Sequence, residues 1–454
     1  MRLQEQVFAA YKEHIDSHFE ENRKGALAVR EALEHSPLNW NGVMDKTAHI
    51  PKVYDSETIE HFRQITAISH RIFGRVIQEY REQEDYRRLF PFSKELEELI
   101  LLPSPYDGVL PIMRMDLFYH EDTGDFQFCE INTDGTAAML RDYEMGKALV
   151  HNPAHQYVIS QYDLCPFELF DTWVQTFLSL YETYHKKTED PYVVITDFLE
   201  NATIKDFEEF QRRFRNAGIN CEICDIRSLK YKDGALYSAE GHRIDAVYRR
   251  AVTADIMAHY TEVTDFLNAV RDDAVFLAGA FATQLIHTKW LFYVLHHDRT
   301  LSFLTEEEKA FVKAHIPLTV ELSEDYIALD EVIGKKDQFI IKPMDAYASK
   351  GVYAAGREYP AQQWEEIVKD LYGKGCICQQ YCTQYLTDNI DFAWGDGRWH
   401  PYINMPGLYV YNGVFTGILM RTACEENIIT AHENERTLPV FFVKGKRSAE
   451  KMDI

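Results

Sequence analysis

"IMRMDLFYHEDTGDFQFCEIN", residues 112–132, is two alternating runs around Asp122-Thr123-Gly124. A three-residue hairpin loop commonly ends on a left-handed residue, which glycine supplies without a steric penalty. That loop predicts a register with Asp116 opposite Glu130 and Arg114 opposite Asn132. Residues two apart share a face of a strand, so these four side chains converge. Carboxylates directly opposed across a hairpin repel, and a divalent cation removes the penalty. Asp, Glu and Asn offer oxygen ligands, which suits Mg²⁺ or Mn²⁺ rather than zinc. Arg114 beside them could neutralise a transferring phosphoryl group. The other reading is an exposed polar hairpin face. Phe126, Phe128, Leu117 and Ile131 argue against it, because they imply burial on both sides, and buried charges need partners.

A second group of residues lies far along the chain. "FIIKPMDAYASKGV" (339–352) is an apolar strand interrupted by Lys342, followed by a loop with Lys350 and Gly351. A buried ammonium is expensive without an anion, and a nucleotide phosphate would supply one. The loop is not of the G-x-x-x-x-G-K-[ST] type. Read alone, Lys342 also fits a lysine snorkelling to solvent. Lys289, in "LIHTKWLF", sits in apolar surroundings on an expected helix, where an ordinary exposed lysine is the simpler reading. "CICQQYC" (376–382) presents Gln379, Gln380 and Tyr381 at the end of an apolar strand, and could face an adenine edge. Arg421 ends another apolar strand. Arg249 and Arg250 follow "DAVY". These arginines could hold a carboxylate or make surface ion pairs.

The 454 residues are 46% hydrophobic, with 27 Tyr and 27 Phe, which is enough for large cores. A net charge of −24 excludes free nucleic acid as a natural partner, since phosphate needs a basic face. It leaves room for a polyamine, or for an anion received by a local basic cluster. The charged N-terminus does not read as a signal peptide, and no apolar run is long enough to span a membrane. The eight cysteines lack zinc spacing and read as reduced thiols, which predicts a cytoplasmic protein.

Helical patterns are expected over 1–35, 56–102, 164–187, 203–218, 254–272, 281–297 and 361–373. Strands are expected over 191–198, 219–226 and 246–252, a β-α-β order that predicts a parallel sheet. The last third is β-rich, with "YNGV" (411–414) as a hairpin turn. The expected division is a helical region 1–105, a hairpin and α/β substrate subdomain 106–275, and a final unit 276–454. The fold class is α/β with α+β regions.

Taken together, R-x-D, E-x-N-x-D, a distant lysine, I-I-K-P, Q-Q-Y and a late Arg before "IIT" resemble the glutathionylspermidine synthase family. The resemblance implies an ATP-grasp fold in circularly permuted order, because the ligand hairpin precedes the lysines. It implies an ATP-dependent ligase joining a peptide-like carboxylate to an amine through an acylphosphate, with one or two Mg²⁺ ions. Asp116, Glu130 and Asn132 match the metal ligands and Arg114 the catalytic arginine. Lys289 and Lys342 match the ATP lysines, with Lys350 and Gly351 in the phosphate loop. Gln379, Gln380 and Tyr381 match the adenine hinge, and Arg421 a second arginine at the reacting carboxylate. Asp134, Thr136 and Arg249 would then face substrate. The chain departs from the family at Gly135-Thr136-Ala137 and in the loop before Gly351. Two alternatives are a non-catalytic nucleotide-binding protein and a metal-dependent phosphoesterase.

Overall fold

The hairpin extends the largest sheet of the molecule. This computed structural model describes residues 1–40, 43–200, 202–344, 356–424, 428–430 and 433–447. The sheet is antiparallel. Its strands run in the order Arg436–Leu438, Val414–Cys424, Trp399–Tyr411, Ile112–Tyr119, Phe126–Asn132. Tyr385–Ile390 also pairs with Trp399–Tyr411. An early hairpin therefore lies beside C-terminal strands, with Arg114 against Tyr409 and Asp116 against Gly407. The expected turn forms at Asn412-Gly413, both with positive φ (+44° and +82°), between Tyr411 and Val414.

Within the hairpin, Asp116 faces Glu130 and Arg114 faces Asn132, as the spacing predicts. The route to that register differs from expectation. His120 N–H donates to Asp125 O at 2.8 Å, so the loop holds four residues rather than three, with Gly124 left-handed at its end. Next to the loop the pairing is one residue out of step: Leu117 meets Phe128. A β-bulge at Cys129 restores it before Glu130, because one extra residue on one strand resets the ladder.

A second sheet is parallel, in the order Phe276–Ala278, Ala246–Arg249, Tyr192–Asp197, Asn220–Asp225. The helix Ile204–Asn216 connects its last two strands and buries Phe207, Phe210 and Phe214 on one face. A three-stranded antiparallel sheet (Thr319–Glu321, Cys376–Gln380, Phe339–Pro343) is backed by the helix Ala361–Leu371, whose Trp364 is fully buried. A further sheet joins Lys52–Tyr54, Val440–Lys446 and Tyr162–Pro166. The main core draws on Phe62 and Phe73 from the helix Ser56–Glu82, and on Leu117, Phe128, Leu408 and Ile418 from the large sheet.

Several helical expectations change. The 164–187 pattern gives a strand at Tyr162–Pro166 and a helix only over Phe170–Tyr181, because pairing with Val440–Lys446 overrides local propensity. The 254–272 pattern splits into Thr253–Ala258 and Thr264–Arg271. The 1–35 and 56–102 patterns also break, the first at His18 between Leu3–Ser17 and Phe19–Glu34. The 281–297 pattern breaks between Gln284–His287 and Leu291–His296, which leaves Lys289 in a turn, not on a helix. Thr288 causes the break: its backbone is extended, and its hydroxyl accepts the Trp290 N–H at 3.3 Å. Among the described residues, no helix is long and apolar enough to cross a membrane.

Candidate functional site

A cleft opens between the large sheet and the three-stranded sheet. It is lined by Glu130, Lys289, Lys342, Gln379, Gln380, Tyr381 and Arg421, all named from the sequence. Residues more than 290 positions apart in the chain thus meet around one space. The expected phosphate-loop residues Lys350 and Gly351 lie outside the described residues.

The bulge shapes the floor of the cleft. In a regular strand, neighbours face opposite sides. Here both Cys129 and Glu130 line the cleft. Burial pushes the Glu130 carboxyl up, but Lys289, Arg421, Lys342 and Arg114 outweigh it and hold the group down at about 2. A chain of strongly negative net charge has therefore gathered four cations at one point. Two of the four, Arg114 and Arg421, also pair with Asp116.

Behind Glu130, Asp116 is completely buried and anchors a network. Arg114 donates to it twice, from Nε at 2.7 Å and Nη2 at 3.1 Å. Asn132 Nδ2 donates at 3.1 Å, and Arg421 Nη2 also pairs with it. Burial disfavours the Arg114 charge, but Asp116 overrides this and raises the guanidinium above its ordinary range. Arg114 Nη1 is fixed by Ala137 O at 3.1 Å, which also accepts the Tyr409 hydroxyl at 2.7 Å. Ala138, next in sequence, holds a left-handed φ of +78° that non-glycine residues rarely adopt. The backbone strain thus sits beside the arginine's anchor.

The oxygen donors Asp116, Glu130 and Asn132 fit a hard divalent cation. As the side chains stand, Arg114, Arg421 and Asn132 hold the Asp116 oxygens, and an ion would take over a position that guanidinium charge now fills. Among the described residues, the cleft holds no activated thiol. Burial pushes the Cys129 thiol up to about 11 and the Cys382 thiol up to about 12, so both stay protonated.

In the three-stranded sheet, Lys342 points inward and donates to Gln379 Oε1 at 2.8 Å. The Gln379 amide is itself fixed on Thr319 Oγ1 at 2.9 Å. The N–H groups of Gln380 and Tyr381 donate to Leu318 O and Gln338 O, both at 2.8 Å. The expected hinge therefore offers side chains to the cleft, while these two N–H groups are used inside the sheet.

Three residues expected to face substrate do not line the cleft. Arg249 Nη1 and Asp134 Oδ1 form an ion pair at 2.5 Å, with both side chains almost fully buried. Arg249 Nε also binds Gly279 O at 2.6 Å. Thr136 closes a local turn on Asn132 O at 3.0 Å. Their neighbour Gly135 has a positive φ, and a Cβ there would lie 2.7 Å from Arg250 O. Close packing and the positive φ therefore account for glycine at this point of departure from the resembled family.

The sequence reading missed the apolar lining, Phe118, Ile340, Met405 and Ile428 among it. It also missed Gly407. Its bare backbone makes room for the Arg114–Asp116 pair on the neighbouring strand. Nothing in "NMPGLY" signals either residue before the strand partners are known.

No protein-family model and no curated protein matches this chain. Solved structures do. A glutathione synthetase-like effector from Globodera pallida, in its apo form, aligns with a TM-score of 0.60 at 10% identity, over 93% of this chain and 97% of that one. A D-cycloserine synthetase aligns with a TM-score of 0.27 at 16% identity, over 54% of this chain and 90% of that one. The first likeness establishes a shared fold.

Proposed function

We propose that the protein is an ATP- and Mg²⁺-dependent carboxylate–amine ligase of the permuted ATP-grasp type, similar to glutathionylspermidine synthase. One observation carries the reading: Lys289, Lys342 and Arg421 line a cleft with Glu130, and Arg114 behind them also acts on its carboxyl. The fold shared with a glutathione synthetase-like protein supports it.

Lys289 and Lys342 hold the ATP phosphates, and the 376–382 strand with Ile340 and Met405 covers the base. Asp116, Glu130 and Asn132 would hold Mg²⁺, which would supply phosphate charge neutralisation when bound. A carboxylate oxygen of the substrate attacks the γ-phosphorus, and ADP leaves. Arg114 and Arg421 stabilise the charge that builds during this transfer. The amine nitrogen then attacks the acyl carbon, phosphate departs and the nitrogen loses its proton. Positioning and charge suffice for such chemistry, which agrees with the protonated cleft thiols.

The test is ADP release against panels of peptide-like acids and of amines, including polyamines. Arg114→Ala should abolish turnover, and full activity in that variant would sink its assigned role. A second reading is a nucleotide-binding protein without catalysis. The full engagement of Asp116 by Arg114, Arg421 and Asn132 favours it. It predicts ATP binding in calorimetry with no ADP from any acid and amine pair.

A further inference from the structure

A second cavity, of about 480 Å³, lies between the helix Met139–Ala148 and the strand Val440–Lys446. It shares no lining residue with the cleft. Its size falls in the range that accepts small molecules, and its walls are largely apolar, with Met139, Tyr143, Phe167, Phe170 and Phe441.

Four lining residues are charged: Lys147, Glu168 and Arg213 have ionic partners, and Asp142 differs from them. Asp142 is 4% exposed, and one of its oxygens accepts the Val440 N–H at 2.8 Å. Among the described residues, no cationic side chain is bonded to it. The cations that share the lining are committed elsewhere. Lys147 pairs with Glu144 at 2.9 Å. Arg213 pairs with Glu209 at 2.7 Å and Asp171 at 2.5 Å, and lies over the Tyr143 and Phe170 rings. Burial therefore pushes the Asp142 carboxyl up to about 7, against the pull of the Val440 hydrogen bond. A buried carboxyl without a cation destabilises a fold, and asparagine would hold the Val440 N–H without that penalty. A carboxyl kept at the wall of an aromatic cavity is what a ligand bringing its own cation requires.

We propose that this cavity binds a small apolar amine, with its ammonium on the Asp142 carboxylate and its hydrocarbon part against Phe167, Phe170 and Phe441. The site stands apart from the ligase reading and does not depend on it.

The experiment is calorimetry of the full chain at pH 8, where the Asp142 carboxyl is ionised, with 2-phenylethylamine and its neutral counterpart 2-phenylethanol. The amine should bind at least about tenfold tighter than the alcohol, a factor within reach of one charge-assisted hydrogen bond. Asp142→Asn should erase that preference. Gly146→Leu should abolish binding of both compounds. A Cβ at Gly146 meets nothing nearer than Pro439 Cβ at 4.0 Å, so the leucine can enter the cavity while the fold persists, which circular dichroism checks. No amine binding to the unaltered chain, equal affinity for amine and alcohol, or binding that survives Gly146→Leu would each overturn the proposal.

Discussion

Gly407 lies directly across the sheet from Asp116, and its missing side chain is what admits the Arg114–Asp116 ion pair. A Cβ there would overlap Asp116 Oδ1 and stand 2.9 Å from Arg114 Cδ. Asp116 is completely buried, so it has nowhere to retreat. Gly407→Ala should therefore destabilise the protein by about 1–3 kcal/mol, the usual cost of overpacking. It should also remove ADP formation, because both displaced side chains belong to the site. Thermal unfolding and a coupled ADP assay would show this. A variant with unchanged Tm and turnover would mean that the pair tolerates displacement.

Where local chemistry decides the structure, the sequence was readable. Asn412-Gly413 makes the turn between Tyr411 and Val414 because both residues accept positive φ. Arg114 and Asp116 share a face by alternation, as do Glu130 and Asn132, although the bulge is what brings the two pairs opposite each other. Where distant partners decide, it was not. The bulge at Cys129 has no local signature; Cys129 packs with Ile403 and Met405, more than 270 residues away. Lys289 left its expected helix because one threonine hydroxyl competed for a backbone N–H, a contest that apolar periodicity does not register. Asp134 and Arg249 read as substrate groups from the family resemblance, and the fold makes them each other's partner.

Lys342 gives a direct test of nucleotide binding. It is 6% exposed and donates to a neutral amide, Gln379 Oε1 at 2.8 Å. A phosphate would be a far stronger partner. Lys342→Met should weaken ATP binding by about 1.5–3 kcal/mol, the range for hydrogen bonds to charged groups. Stability should hold, because methionine replaces a buried cation with an apolar chain of similar length. Calorimetry with ATP measures the loss. An unaltered Kd would favour a phosphoesterase that uses the hairpin alone.

The Asp134–Arg249 pair separates a structural role from a substrate role. Both side chains are nearly fully buried, so removing one partner leaves an uncompensated charge. Asp134→Asn or Arg249→Leu should each cost about 3–5 kcal/mol of stability. Replacing both with apolar residues should recover much of that loss. KM for acid and amine should stay the same in whatever fraction folds. A raised KM with an unaltered Tm would return these residues to the substrate site.

Glu130 makes the electrostatics of the cleft visible through pH. Burial raises its carboxyl, and Lys289, Arg421, Lys342 and Arg114 more than reverse this, from 4.5 to about 2. A carboxyl whose folded value lies below its unfolded one binds fewer protons when folded, so raising the pH favours the folded state. Its contribution is complete above about 4.5 and is lost as the pH falls toward about 2. Glu130→Gln removes that dependence and leaves the cations without their central anion. Urea unfolding should show the variant less stable by about 1–3 kcal/mol at neutral pH, the penalty for leaving charged groups without a partner. The gap should close steadily through the acid range. ATP should narrow the neutral-pH gap, because its phosphates give the same cations a partner. Curves that run parallel at every pH would mean that the four cations do not act on Glu130, and the case for a polyphosphate site would lose its main support.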